Sequence, residues 1–328
     1  MDYKLFCDST CDLTDEIAKK QNIEIIPMQF SVDNKNYSHY LDEREMTLSD
    51  FYAALKNGAN VTTAQVQYNT FANSFEPFLK EGKDIIYICF TSGLSGTYNT
   101  CKIAVEELKE KYPERKICVI DSLSASVGEG YLAYLAGVKM NEGASFKELC
   151  DYIENTKMKI CHWFVVDDLD QLKKGGRIGA LSAAFGKALQ IKPLISVDND
   201  GKLIAVAKIR GNMKTYSTLI DRANRDGVNL KEQTVFIAHA ECPEKAEKLK
   251  EMVAPLVKEV KIVKVGPIIG SHVGQGMFAL TFQGERNLIF TERNPYSNEY
   301  GFFIFCYDSK IAIGTSKIFL LMLLQIIL

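Results

Sequence analysis

An apolar, β-branched run that stops abruptly in a loop of hydroxyl and glycine residues leaves a chain few ways to fold, and Ile85–Thr97 (IIYICFTSGLSGT) is such a segment. The run Ile85–Phe90 has the length and composition of a strand buried in a parallel sheet. Gly96 and Thr97 then open the helical pattern of Tyr98–Lys111. Backbone N–H groups left free at such a helix start, with the hydroxyls of Ser92, Ser95 and Thr97, suit a carboxylate or a phosphate. The same residues also serve as ordinary helix caps, so the loop alone leaves both readings open.

The rest of the first half repeats the strand–helix alternation. Tyr3–Cys7 and Lys116–Ile120 read as further strands, and Asp15–Gln21 and Ser124–Met140 as helices, which predicts a doubly wound α/β sheet. Helix starts are marked by Thr14 before Asp15 and Glu16, by Thr47 with Asp50 three residues on, and by Ser145 with Glu148 three residues on. Between Pro27 and Phe71 the pattern weakens, and Val61–Gln65 (VTTAQ) reads as a second polar, hydroxyl-bearing loop ahead of a helix. From about Cys161 the texture changes. A strand at Trp163–Val166 precedes a charged helix and the glycine hinge Lys173–Arg177 (KKGGR), and Asn199-Asp200-Gly201 joins Ile191–Val197 to Leu203–Ala207 as a hairpin. Helices at Asn212–Arg225 and Pro243–Val253 and strands at Thr234–Ala238 and Lys258–Val263 follow, and Val265–Gly276 reads as a glycine-rich loop carrying His272.

Composition narrows the function. The 328 residues, 47% hydrophobic, can fill roughly two cores. A net charge of -2 gives no global electrostatic reason to expect nucleic acid. Nine cysteines at irregular spacing, with no CxxC pair, indicate reduced cytosolic thiols rather than a disulfide framework or a zinc site. The start MDYKLFCDST lacks the apolar core of a signal peptide, so a cytoplasmic protein is expected. Ile318–Leu328 is almost wholly apolar but too short to span a bilayer alone, and a tail anchor, an interfacial segment, a buried helix and an altered gene end all fit it.

The obvious catalytic motifs fail on context. Gly274–Ala279 fits GxGxxA but lacks the preceding strand and the later acidic partner of a dinucleotide fold. Gly93–Thr97 approaches the nucleophile elbow GxSxG, yet ends in Thr97 and has no oxyanion loop of the HGGG kind. Lys173–Arg177 is not a phosphate-binding P-loop. His272 sits where backbone can approach a ligand and its ring can donate to an anion, or where it braces a loop, whereas His39, His162 and His239 have no such context. Asp8, Ser9, Thr10 and Asp12 read as an Asx-type turn with helix capping rather than an ion site.

Taken together, CDSTCDL (Cys7–Leu13), VTTAQ (Val61–Gln65), TSGLSGTY (Thr91–Tyr98), DSLSASVGEG (Asp121–Gly130), VVDDLDQLKKGGRIG (Val165–Gly179), KPLISVDNDGKLIAVAKIRG (Lys192–Gly211) and GPIIGSHVGQG (Gly266–Gly276) resemble the DegV family, and specifically its fatty-acid-binding members that serve a bacterial fatty acid kinase. They run in family order over about residues 2 to 285. The resemblance implies a Rossmann-like amino-terminal domain at 1–160, a smaller α/β domain at 161–286 and an atypical apolar tail at 287–328, with one long acyl chain buried between the two domains. It implies no catalytic residue, no metal and no cofactor. The ligand it implies is a long-chain fatty acid whose carboxylate is bound by Thr63, Ser95, Gly96 and His272, with the basic Arg177 at the pocket mouth. Thr63-Ala64-Gln65-Val66 departs at two positions from the family's TSQP, losing a serine and a proline.

The implied partners are the fatty acid and a fatty acid kinase protein, with membrane contact only transient and no nucleic acid. Arg177, after two glycines, reads as a mobile surface cation that presents the lipid to the kinase. Two other readings compete: an acyl hydrolase using Ser95 and His272, and an adaptor without lipid turnover.

Overall fold

The computed structural model describes residues 2–286 apart from Asp168 and residues 178–190, together with two short strands at Glu292–Arg293 and Tyr300–Gly301. The expectations for the apolar tail therefore lie outside the described residues, as do Asp168, Ile178 and Gly179 of the VVDDLDQLKKGGRIG segment. The described residues from 2 to 286 belong to one compact unit.

The first sheet is fully parallel. It contains β1 (Tyr3–Asp8), β2 (Ile23–Ile26), β6 (Asp84–Cys89) and β7 (Ile117–Asp121) in the order β2-β1-β6-β7. Ile85–Cys89 are all buried, as a strand covered on both faces must be. Between β2 and β6 the chain builds a small antiparallel sheet from β3 (Gln29–Val32), β4 (Lys35–Ser38) and β5 (Val61–Ala64), in the order β4-β3-β5. The helices of this half are α1 (Asp15–Lys20), α2 (Leu48–Lys56), α3 (Tyr68–Lys80), α4 (Thr97–Lys111), α5 (Val127–Asn141) and α6 (Phe146–Lys157). The predicted caps form: Thr14 accepts from Ile17 N, Thr47 from Asp50 N, and Ser145 with Glu148 closes a reciprocal capping box.

The second sheet is mixed and six-stranded. It consists of β8 (Ile160–Val165), β9 (Ile191–Val197), β10 (Leu203–Arg210), β11 (Thr234–His239), β12 (Glu259–Lys264) and β13 (Phe278–Gln283). Their order is β10-β9-β8-β13-β11-β12, and only β11 and β12 run parallel. Its helices are α7 (Asp170–Lys174), α8 (Asn212–Asp226), α9 (Pro243–Val253) and α10 (Pro267–Val273). The hairpin turn is held by Asp198 Oδ1, which accepts from Asp200 N at 2.9 Å and Lys202 N at 2.8 Å, with Gly201 at φ 75°. This hairpin tip docks on the hydroxyl loop after β6. Thr91 Oγ1 donates to Gly201 O at 3.0 Å, and a side chain at Gly93 would meet the carbonyls of Asp200 and Gly201 at 2.6 Å.

Two expectations need correction. Val61–Ala64 is an edge strand rather than a loop, because its backbone is recruited by β3 despite the polar side chains. The segment around His272 is the short helix α10, not a glycine-rich loop: Pro267 starts it, and Gly274 at φ 72° ends it. Asp8 behaves as the Asx-type reading expects, capping a single turn of 3-10 helix through Thr10 N at 3.1 Å. Its other oxygen accepts from Tyr87 Oη at 2.9 Å and Phe90 N at 3.0 Å, and so locks the end of β1 to that of β6.

Asp12 ties the halves together. It is buried, in the left-handed backbone region, and its carboxylate accepts from Ser126 Oγ at 2.5 Å and from Gly266 N at 2.8 Å. One residue thereby fixes the starts of α5 and α10. Burial pushes its carboxyl up to about 7, against the hydrogen bonds that lower it. A raised carboxyl contributes stability that is complete below about pH 4 and is lost as pH rises through about 7. Asp12→Asn keeps an acceptor for Gly266 N, turns an amide N–H toward Ser126 Oγ, which can accept, and tolerates the left-handed backbone. Its stability relative to the parent, measured by urea denaturation, is expected to climb steadily from pH 4 to 8, by up to about 4 kcal/mol. A gap that stays constant over that range would contradict the assignment.

Candidate functional site

A cleft with about 820 Å³ of empty space, part of it open to solvent, lies where the hydroxyl loop, β5, α10 and the second sheet converge. Most of its wall is apolar, including Met28, Phe90, Phe164, Leu203, Ile268 and Met277. Thr63, Ser95 and His272, which are half-buried, and Arg177, which is exposed, form one neighbouring polar group in its lining.

The hydrogen bonds in this group leave a definite donor inventory. Thr63 Oγ1 and His272 Nε2 lie 2.9 Å apart, and Ser95 Oγ and Thr97 Oγ1 also lie 2.9 Å apart. Each pair holds two O–H or N–H protons and uses one of them internally. If Thr63 donates to Nε2, the proton on His272 Nδ1 is free, and in the other tautomer the Thr63 hydroxyl is free. Nδ1 itself is buried and has no partner. Thr97 Oγ1 also accepts from Val66 N at 3.3 Å, which ties α4 to the end of β5. Each pair therefore offers one donor, and a carboxylate has two oxygens to receive them.

The surrounding backbone is shaped to hold this cluster. Gly96 is the N-cap of α4, and Ser95 Oγ just before it accepts from Thr97 N at 3.3 Å, which uses a lone pair and leaves the hydroxyl proton. A methyl group at Gly96 would collide with Gln65 Oε1, and one at Gly175 with His272 Nδ1. Gln65 Nε2 donates in turn to Thr100 Oγ1 at 2.9 Å. Burial, reinforced by the nearby Arg177 guanidinium, pulls the His272 imidazole down to about 4, so the ring is neutral near pH 7.

Arg177 departs from the mobile cation expected of it. Its Nη1 donates to Gly175 O at 2.7 Å and its Nε to Leu94 O at 3.3 Å, so the exposed guanidinium is pinned across the mouth, next to Ser95. The nucleophile–base contact of a hydrolase is also not what the geometry provides. Ser95 Oγ is engaged with Thr97 and His272 Nε2 with Thr63. Gly274–Ala279 leads into β13 rather than a helix, which removes the dinucleotide reading.

Residues 2–285 match the sequence profile of the family described as "Uncharacterised protein, DegV family". The chain belongs to the DegV family. A DegV domain-containing protein of Clostridium perfringens is 40% identical over 285 residues, which is 86% of this chain and 98% of that one. Among solved structures, a DegV family protein of Thermus thermophilus described as binding fatty acid superposes with a TM-score of 0.78 at 24% identity, covering 86% of this chain and 100% of that one. DegV of Bacillus subtilis, described as a fatty acid binding protein, superposes with a TM-score of 0.75 at 27% identity, covering 87% and 100%.

One lining residue escaped the sequence reading. His162 stands on β8 one strand step from Phe164, and strand alternation turns both into the cleft while Trp163 faces away against the Arg222 guanidinium. The signal was available as an i, i+2 pair in a buried strand, but a lone histidine in an apolar run gives no reason to choose the ligand-facing side.

The His272 environment carries its own test. By proton NMR its ring is expected to titrate near pH 4 in the ligand-free parent, whereas Gly175→Ala, which pushes against Nδ1, should move the titration toward the ordinary value of about 6.5. An unchanged titration in the variant would contradict the packing described for this ring.

Proposed function

We propose that this DegV family protein binds one long-chain fatty acid in the cleft, with its carboxylate at the Thr63–His272 and Ser95–Thr97 pairs, and presents that carboxylate to a fatty acid kinase for acyl phosphate formation. The observation that carries the reading is a cleft lined mostly by apolar side chains that also holds two neutral donor pairs. Each buried methylene contributes about 0.8 kcal/mol, so a long chain offsets the cost of taking a carboxylate out of water. Uncharged donors satisfy that carboxylate without a buried fixed cation, and they suit an acyl phosphate equally well. Fatty acid binding by the Thermus thermophilus and Bacillus subtilis relatives supports the same ligand class here.

Presentation to a kinase rests on the mouth. Arg177 lies exposed beside the carboxylate end, and its forked guanidinium suits bidentate contact with carboxylate or phosphoryl oxygens. The protein itself supplies no chemistry in this reading, which makes it a carrier and not an enzyme.

Ser95→Ala and Thr63→Ala each remove one hydroxyl from the carboxylate site. Hydrogen bonds to charged groups contribute roughly 1.5–3 kcal/mol, so each variant should bind fatty acid about tenfold or more weakly in a calorimetric titration, with folding intact by circular dichroism. His272→Ala should do the same, and the double variant Thr63→Ala/His272→Ala should lose less than the sum of the two, because they form one pair. Full affinity in all the single variants would dismiss the headgroup assignment.

Arg177→Ala should keep its fatty acid yet support little acyl phosphate formation when a fatty acid kinase and ATP are supplied. Lys at the same position should recover only part of that activity. Equal turnover by Arg177→Ala and the parent would refute the presentation role, and loss of lipid would transfer Arg177 to the carboxylate site.

A further inference from the structure

The cleft contains a second polar position that the carboxylate does not use. His162 is 5% exposed and lines the cleft on β8, and among the described residues neither ring nitrogen meets a partner in full hydrogen-bond geometry, the Ile160 carbonyl lying only near enough to oppose part of the fall in its pKa. Such a group inside an apolar wall is costly unless something completes it. The surroundings make room for the ring rather than satisfy it. Gly128 on α5 presents no side chain there, and a methyl group at that position would lie 2.7 Å from His162 Nδ1. Thr281, directly opposite His162 on β13, is fully buried and its hydroxyl is also without a partner, so the two residues do not complete each other. His162 is also remote in role from the mouth: Thr63, Ser95 and His272 are half-buried and bonded in pairs, whereas His162 is enclosed and belongs to neither pair.

An imidazole with one donor and one acceptor nitrogen pairs with a group that can do the converse. Along a hydrocarbon chain that group is an oxygen substituent. We propose that His162 is a specificity residue that takes the hydroxyl or keto oxygen of an acyl chain oxygenated part-way along its length. This rests on the fatty-acid reading above, since it places the substituent on the same ligand. Burial holds the ring neutral near pH 7, which keeps the acceptor nitrogen available to a hydroxyl proton. A saturated chain passing the same point leaves the imidazole unsatisfied, so the two ligand types are separated by a hydrogen bond gained inside an apolar wall, where water does not compete on equal terms.

The test compares octadecanoic acid with a series of octadecanoic acids carrying one hydroxyl at successive positions, each titrated calorimetrically into delipidated full-length protein. The proposal expects one or two adjacent hydroxyl positions to bind about five- to tenfold more tightly, relative to octadecanoic acid, than the other positions in the series. His162→Phe should erase that preference while still binding octadecanoic acid, and His162→Gln, which keeps a donor and an acceptor, should restore part of it. If either variant fails to fold, the position dependence in the parent protein decides alone. Binding of octadecanoic acid with no preferred hydroxyl position, or a preference that survives in His162→Phe, would overturn the role of His162 and leave the carrier reading standing. Failure of every acid to bind would overturn both.

Discussion

The hydrogen bonds to Asp12 are the constraint on which the site depends. Its carboxylate sits in a loop of the first sheet, accepts Ser126 Oγ at the start of α5 and Gly266 N at the start of α10, and so sets the distance between the parts that make the cleft. Ser126 adopts φ 53° and ψ -140°, a backbone region that costs a non-glycine residue energy and is kept only when its surroundings hold it there. α10 then carries His272 to Thr63. Around this point Tyr52 Oη donates to Val265 O at 2.9 Å and Arg286 donates to Ser124 Oγ at 2.8 Å, closing the same seam from two sides. The carboxyl is therefore buried to hold elements together, and its raised pKa is a consequence of that placement.

The division of labour in the cleft follows from what burial costs. A fixed cation at its base would need a partner in the empty protein, and an unpaired one is costly to bury. Hydroxyls and a neutral imidazole avoid that cost because they bond to each other, and in the proposed function each pair keeps one proton for a carboxylate. Among the described residues, the charge that lines the cleft is Arg177, which is exposed and held by two backbone carbonyls.

Much of this was legible in the sequence, for identifiable reasons. Helix starts at Thr14, Thr47 and Ser145 were readable because a cap is a local interaction between residues a few positions apart. The buried strand Asp84–Cys89 was readable because burial on both faces demands an unbroken apolar run. Thr63, Ser95 and His272 were named through family resemblance, and the structure places Thr63 against His272 and all three in one cleft. What local pattern could not show was structure imposed from a distance. Val61–Ala64 becomes a strand only because β3 lies beside it, and the glycines of GPIIGSHVGQG hide a helix that Asp12 helps to start. Arg177 looked free because the carbonyls that hold it include Leu94, far away in the chain. His162 was passed over because the face of a strand that meets a ligand is decided by the fold.

The central claim is that this chain carries a fatty acid as cargo and does not transform it. The most direct measurement is native mass spectrometry of the full-length protein as purified from cells, before and after organic extraction. The account predicts a mass excess of one fatty acid per chain that extraction removes and that returns on incubation with the free acid, unaltered over time. A chain that carries no lipid and acquires none on incubation, or one that hydrolyses an acyl ester offered to it, would contradict the account.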